Sequence, residues 1–100
     1  MSEASRPQRI VIDASSRPAL ARHVKMRQDA ARGRWVILAP ERVFTPDPIA
    51  VAVLTLCDGA RRVEDIATEL AATYSAPRDR ILSDITSLLQ ELSDKGVISV

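Results

Sequence analysis

One apolar pattern in the last third of the chain constrains the fold more than any other feature of the sequence. Five aliphatic residues recur there at the spacing of a single helix face: Ile81, Ile85, Leu88, Leu89 and Leu92. Lys95-Gly96 follows them, and a glycine in this place is typical of a helix end. The pattern predicts a long amphipathic helix whose apolar side must be covered by the rest of the chain.

Two more helices are predicted before it. The nearly all-apolar run of residues 49–57 is compatible with a buried strand or a buried helix, and its flanks favour the helix. Asp47-Pro48 is a capping residue followed by a proline at the first helical position, and Asp58-Gly59 is a stop signal. The next helix is predicted from apolar residues at helical spacing: Val63, Ile66, Ala67, Leu70 and Tyr74.

The first half of the chain has the alternation of an antiparallel sheet. Val24, Met26 and Gln28 alternate with charged residues, and Gly33 separates this strand from the more buried run of residues 34–38. A third extended piece covers residues 42–45, and Val97-Ile98 is a short extended end. These patterns predict an α+β domain in which a three-stranded antiparallel sheet is followed by three helices.

The chain length of 100 residues allows a single hydrophobic core. Residues 1–16 are rich in Ser, Arg, Pro and Ala, and their one apolar cluster is Ile10, Val11 and Ile12. We therefore predict a flexible N-terminal tail over residues 1–16, in which that cluster could dock or pair, and a folded domain over residues 17–100.

The side chains that carry most enzyme chemistry are scarce. Cys57 is the single cysteine and His23 the single histidine, so neither an internal disulfide nor a tetrahedral zinc site is expected. Cys57 fits a core position and His23 a solvated one, and the three glycines form no phosphate-binding loop. We expect no catalytic residue, no metal and no cofactor.

No segment of the sequence is suited to a membrane or to export. The first residues lack the apolar core of a signal peptide, and no apolar run reaches the roughly 18–20 residues that span a bilayer. With its lone cysteine, the chain is expected in a reducing compartment, the cytoplasm.

The net charge of +1 conceals an uneven distribution. Residues 1–50 carry nine Lys or Arg against five Asp or Glu, whereas residues 51–100 carry five against eight. A winged-helix DNA-binding protein needs a basic last helix, but the outward positions of the predicted one hold three bases and four acids. Strand addition, in which an extended peptide pairs with an edge strand at residues 42–45, suits the pattern better than nucleic-acid binding.

Several motifs, taken in order, resemble the PqqD family, the pyrroloquinoline quinone biosynthesis proteins D. They are Arg17-Pro18, residues 34–38 leading to Pro40-Glu41, Leu56-Cys57-Asp58-Gly59, and the two helical patterns that follow. The resemblance covers residues 17–98 and implies a winged helix-turn-helix-like fold. It also implies a peptide chaperone without catalytic activity, which binds the precursor peptide PqqA and presents it to the radical-SAM enzyme PqqE.

The resemblance further implies where the peptide binds. In the family, the peptide lies as an added strand along the third strand and against the third helix. Here the edge falls on Arg42, Val43, Phe44 and Thr45, and the helix wall on Arg80, Ile81, Asp84, Ile85 and Leu88.

Two departures from the family pattern affect these expectations. Arg62 stands where a Thr cap is more usual, so the second helix is expected to begin without a side-chain acceptor. Thr45-Pro46 replaces a more apolar strand end, which is expected to shorten the edge or shift the peptide register. A winged-helix DNA-binding protein and a recognition domain for a different modified peptide are the alternatives.

Overall fold

The computed structural model describes residues 10–100, and its elements follow the predicted order. They are β1 (Ala19–Leu20), β2 (Lys25–Asp29), β3 (Arg34–Ala39), β4 (Arg42–Phe44), α1 (Pro48–Thr55), α2 (Val63–Tyr74), α3 (Arg78–Asp94) and β5 (Ile98–Ser99). Strands β2, β3 and β4 form an antiparallel sheet that precedes the three helices. The predicted α+β arrangement is therefore confirmed.

Helix α3 supplies the centre of the core. Ile85, Leu89 and Leu92 are 3%, 0% and 8% exposed, and α2 packs along the helix beside them. Burying an aliphatic side chain of this size contributes about 1.5–3 kcal/mol, so this stripe is a major source of stability. Ile81 and Leu88, at the border of the stripe, are only half-buried.

The sheet forms the second layer of the core. Its register places Met26, Ile37 and Phe44 in one row, and Ile37 is 1% exposed at the centre of that row. Because side chains alternate between the faces of a strand, the neighbouring row with Leu38 and Val43 faces away from the core.

A second, two-stranded sheet joins the two ends of the folded part. Strand β1 pairs with β5 in antiparallel register, and the backbone N–H of Ala21 donates to the Val97 oxygen over 2.8 Å. Sequence analysis predicted the extended end near residue 98 but not its partner. A two-residue strand such as β1 has too short a pattern to be recognised from the sequence alone.

Helix α1 begins as the sequence predicts. Asp47 Oδ1 accepts a hydrogen bond from the Ala50 backbone N–H over 2.8 Å, and Pro48 occupies the first helical position. The helix ends at Thr55, so Cys57 lies beyond it. The Gly59 N–H then donates to the Pro18 oxygen over 2.9 Å, which brings two motifs distant in sequence into contact.

Helix α2 begins without a side-chain acceptor at Arg62, as expected. Its first two N–H groups, on Val63 and Glu64, instead donate to the backbone oxygens of Ser16 and Ala14 over 2.9 and 3.0 Å. Carbonyls from the N-terminal segment thus take the place of the missing cap, which satisfies donors that every helix start leaves open.

Residues 10–16 are anchored to the domain through Ile12, and this differs from the flexible tail predicted over residues 1–16. Ile12 is 4% exposed and belongs to the core. The Gln90 side chain holds the segment twice: Ile12 N donates to Gln90 Oε1 over 2.8 Å, and Gln90 Nε2 donates to the Ile10 oxygen over 2.7 Å. The flexibility predicted for residues 1–9 lies outside the described residues.

None of the helices in residues 10–100 is long and apolar enough to cross a membrane.

The Gln90 contacts can be tested with Gln90→Glu. The carboxylate still accepts from Ile12 but cannot donate to Ile10, and it lies near Asp94, to which Gln90 Nε2 also donates over 3.0 Å. We expect a loss of about 1–2 kcal/mol in the free energy of unfolding and faster amide exchange at residues 10–16. Ser87→Glu adds the same charge on the exposed side of α3 and serves as the control; equal exchange in both variants would contradict the assignment.

Asp58 links stability to pH. Backbone N–H groups of Arg61 and Ala60 donate to its carboxylate over 2.9 Å each and, with the Arg61 charge, hold the pKa of Asp58 below its usual value of 3.8. When folding lowers the pKa of a carboxyl group, the ionised group stabilises the folded state at any pH above its unfolded-state pKa. This stabilisation is lost as the pH falls through the folded-state pKa. Asp58→Ala should therefore lower the Tm at neutral pH, and its gap from the wild type should close in acid. A gap independent of pH would contradict this reasoning.

Candidate functional site

The free edge of β4 is the first component of the site. β4 pairs with β3 on one side, and no described residue pairs with its other side. Val43 is 66% exposed on this strand. The strand ends at Phe44, so Thr45, predicted as part of the edge, follows the strand and is not in it. An edge strand of this kind offers unpaired backbone N–H and C=O groups to a further strand.

A cavity of about 220 Å³ lies between the end of β4 and α3. We call it the first cavity. It is lined by side chains from the sheet, the β4–α1 connection and two helices: Ile37, Phe44, Thr45, Pro46, Asp47, Ala50, Leu88 and Leu92. The cavity is open to solvent and is lined by Phe44 and Thr45 at the end of β4, which makes it accessible to side chains of a strand added there.

A second cavity of about 260 Å³ lies further towards the start of α3. It is more enclosed and more apolar than the first, and all three helices or their connections line it: Ile49, Leu70, Tyr74, Ala76, Ile81, Asp84 and Ile85. We use the term groove for the β4 edge together with these two cavities. Helix α3 lines both cavities, the first with Leu88 and Leu92 and the second with Ile81 and Ile85.

The predicted site residues are divided among these parts. Phe44, Thr45 and Leu88 line the first cavity, and Ile81, Asp84 and Ile85 line the second. Arg42 and Val43 lie on the free edge of β4. Arg80 lines neither cavity.

Several lining residues were not found by sequence analysis. Ile49 in α1 and Leu70, Tyr74 and Ala76 in or after α2 belong to the second cavity. Ile49 and Tyr74 are exposed despite their apolar character, whereas the sequence predicted Ile49 in a buried helix and Tyr74 on the apolar face of the next helix. Only the packing of the helices reveals that these positions border a cavity.

Positive charge is concentrated on the three-stranded sheet and negative charge on the helical part of the chain. In residues 24–45, five Lys or Arg stand against two Asp or Glu, whereas residues 46–100 carry five against nine. On the groove wall, the Asp84 carboxylate is exposed and makes no hydrogen bond or ion pair with another residue of the described chain. The groove therefore has a cationic edge at Arg42 and an anionic wall at Asp84.

Cys57 is a core residue, as predicted. It is 8% exposed, and its thiol donates to the Val53 oxygen over 3.3 Å. Burial, together with the neighbouring Asp58 charge, raises the pKa of Cys57 to about 12, so the thiol stays protonated near neutral pH. Within residues 10–100, no three His, Cys, Asp or Glu side chains lie close enough together to hold a metal ion.

The reactivity of Cys57 checks this placement. We expect alkylation by iodoacetamide at about pH 8 to be at least about tenfold slower in the native protein than in urea, because a buried, protonated thiol is a poor nucleophile. Mass spectrometry at timed intervals measures both rates. Equal rates in the native and unfolded protein would contradict the burial of Cys57.

Comparison with known proteins identifies relatives of the chain. The family model for coenzyme PQQ synthesis protein D (PqqD) matches residues 34–98. A protein of Bradyrhizobium diazoefficiens named PqqA binding protein is 53% identical over 93 residues, which is 93% of this chain and 90% of that protein.

Two solved structures are also similar. One is the solution NMR structure of the PqqD truncation of Methylobacterium extorquens PqqCD, which represents a functional, stand-alone recognition element for ribosomally synthesised and modified peptides. It is 43% identical with a TM-score of 0.78, over 89% of this chain and 95% of that one. The crystal structure of PqqD from Xanthomonas campestris is 36% identical in sequence with a TM-score of 0.53, and the match covers 95% of this chain and 93% of that one.

Proposed function

Because this chain belongs to the PqqD family, we propose that it binds the precursor peptide PqqA in the groove and presents it to PqqE. The single observation that carries the binding site is the juxtaposition of a free strand edge with an apolar helix wall. Relatives at about half identity are named for PqqA binding, and a solved relative is a recognition element for modified peptides. The role is binding, and the chemistry belongs to the enzyme partner.

Strand addition to β4 supplies only part of the affinity. A hydrogen bond contributes about 0.5–1.5 kcal/mol net, and a three-residue strand can offer only a few outward groups. A micromolar complex needs about 8 kcal/mol, after the cost of ordering a flexible peptide is met. Burial of peptide side chains in the cavities must therefore supply most of the remainder.

The position of the groove suits presentation. The peptide would lie on one side of α3 and on one edge of the sheet, which leaves the outward row with Leu38 and Val43 and the far side of α3 accessible to an enzyme. Holding the peptide in this way converts a bimolecular encounter into delivery at a high local concentration.

Leu88→Glu tests the groove. Leu88 is half-buried in the first cavity, and a carboxylate there would meet apolar peptide side chains. With fluorescently labelled PqqA, we expect affinity to fall by about tenfold or more, which corresponds to about 1.4 kcal/mol. Ser87→Glu, which lines neither cavity, should bind within about twofold of the wild type.

The same proteins serve for the folding control and for the test of DNA binding. Thermal unfolding establishes that both variants are folded. In the isotope-labelled wild type, PqqA should shift the amide signals of residues 42–45 and of α3, whereas shifts confined to residues 60–75 would refute the groove. If the wild type binds duplex DNA with steep salt dependence and does not bind PqqA, the DNA-binding alternative replaces this function.

A further inference from the structure

The second cavity lies beyond the reach of a strand that pairs with β4. All of its lining residues belong to the helices or their connections, and none belongs to the sheet. Along α3, the pair Ile81 and Ile85 lies seven residues before the pair Leu88 and Leu92, a rise of about 10 Å. That distance equals about three residues of extended chain. A peptide seated on β4 can therefore reach this cavity only with residues outside the paired segment.

Exposed apolar side chains surround the entrance of this cavity. Six large apolar residues are exposed within residues 10–100, and two of them, Ile49 at 62% and Tyr74 at 49%, line it. A third, Val43, lies on the β4 edge. Ile49 is also the chain neighbour of Ala50, which lines the first cavity, so α1 contributes a residue to each of the two cavities. One extended ligand can thus pair with the β4 edge and reach both cavities.

The volume suits one large side chain. An engineered protein cavity of about 150 Å³ accommodates a benzene molecule, and this cavity of about 260 Å³ is larger and lined mainly by apolar atoms. A Leu, Phe or similar side chain would remove the exposed surfaces of Ile49 and Tyr74 from water. This burial would contribute about 25 cal/mol for each Å² covered.

One charged group stands in the wall of this apolar cavity. The Asp84 carboxylate makes no hydrogen bond or ion pair with any residue from 10 to 100, and Arg80, one turn earlier, is not within ion-pair distance of it. The other polar group on the lining is the Tyr74 hydroxyl. A carboxylate beside an apolar cavity favours a cation on the ligand next to its apolar anchor.

We propose that the second cavity is a separate recognition pocket, which takes an apolar peptide side chain about three residues from the segment paired with β4. Asp84 binds a basic residue next to that anchor. The ligand of the groove is therefore an amphipathic stretch of peptide, with its strand on β4 and an apolar–basic pair in this pocket. The proposal rests on the proposed function and adds the side-chain chemistry that selects the peptide.

Ala76→Leu tests the pocket by filling it. Ala76 lies between α2 and α3 on the cavity lining, so a leucine can occupy the space without removing a core side chain. We expect affinity for labelled PqqA to fall by about tenfold, with an unchanged or raised Tm. Ala72→Leu makes the same change at an exposed position of α2 outside the cavity and should leave affinity within about twofold.

Asp84→Asn tests the basic partner. We expect affinity to fall about twofold to fivefold at low salt and the salt dependence of binding to weaken, because an exposed ion pair is lost. Asp79→Asn removes the same charge from the same helix at a position that does not line the cavity. Each basic residue of PqqA is then replaced by glutamine, and a double-mutant cycle should show coupling to Asp84 for one of them.

The outcomes separate this proposal from the proposed function. If wild-type protein does not bind PqqA, the proposed function fails. If the wild type binds and Leu88→Glu does not, but Ala76→Leu binds as tightly as Ala72→Leu, the groove stands and the second pocket is refuted. If no basic residue of PqqA couples to Asp84, the assigned role of Asp84 is refuted.

Discussion

The structure depends on the burial of one helix face that is wider than any single neighbour can cover. Helix α2 packs along the α3 stripe, where Leu89 is fully buried, and Ile37 and Phe44 of the sheet line the first cavity together with Leu88 and Leu92. Ile81 and Leu88 remain at the uncovered border. The groove is therefore the incomplete part of the core, and a ligand that fills it extends the same packing that stabilises the fold.

The patterns that are local in sequence predicted most of the fold. The α3 stripe, the Asp47-Pro48 helix start and the alternation in β2 each predict the secondary structure of the segment in which they occur. The carbonyls of residues 14 and 16 at the start of α2, and the Gln90 contacts, join positions far apart in sequence. No periodicity encodes such contacts, so residues 10–16 were assigned to a tail although Ile12 is in the core.

The candidate site divides in the same way. The edge and the helix wall were predicted through a family resemblance, and the structure brings most of these residues to one groove. Arg80 is an exception, because it lies in the first turn of α3, before the residues that line the second cavity. Ile49 and Tyr74 escaped prediction because an apolar residue at a helical core spacing is ordinarily buried. Their exposure follows from the angles between three helices, which a sequence pattern does not contain.

The Gln90 side chain offers Ile10 and Ile12 one donor and one acceptor, which is what a backbone peptide unit in a neighbouring strand would offer. The side-chain amide of Gln90 on α3 thus makes the same pair of hydrogen bonds that a neighbouring strand would make with residues 10 and 12. Gln90 and the groove residue Leu88 lie on nearly opposite sides of α3, because residues two positions apart in a helix point about 200° away from each other. Residues 10–12 therefore contact α3 on the side away from the groove, so the attachment of this segment and the binding of a ligand use different faces of the same helix.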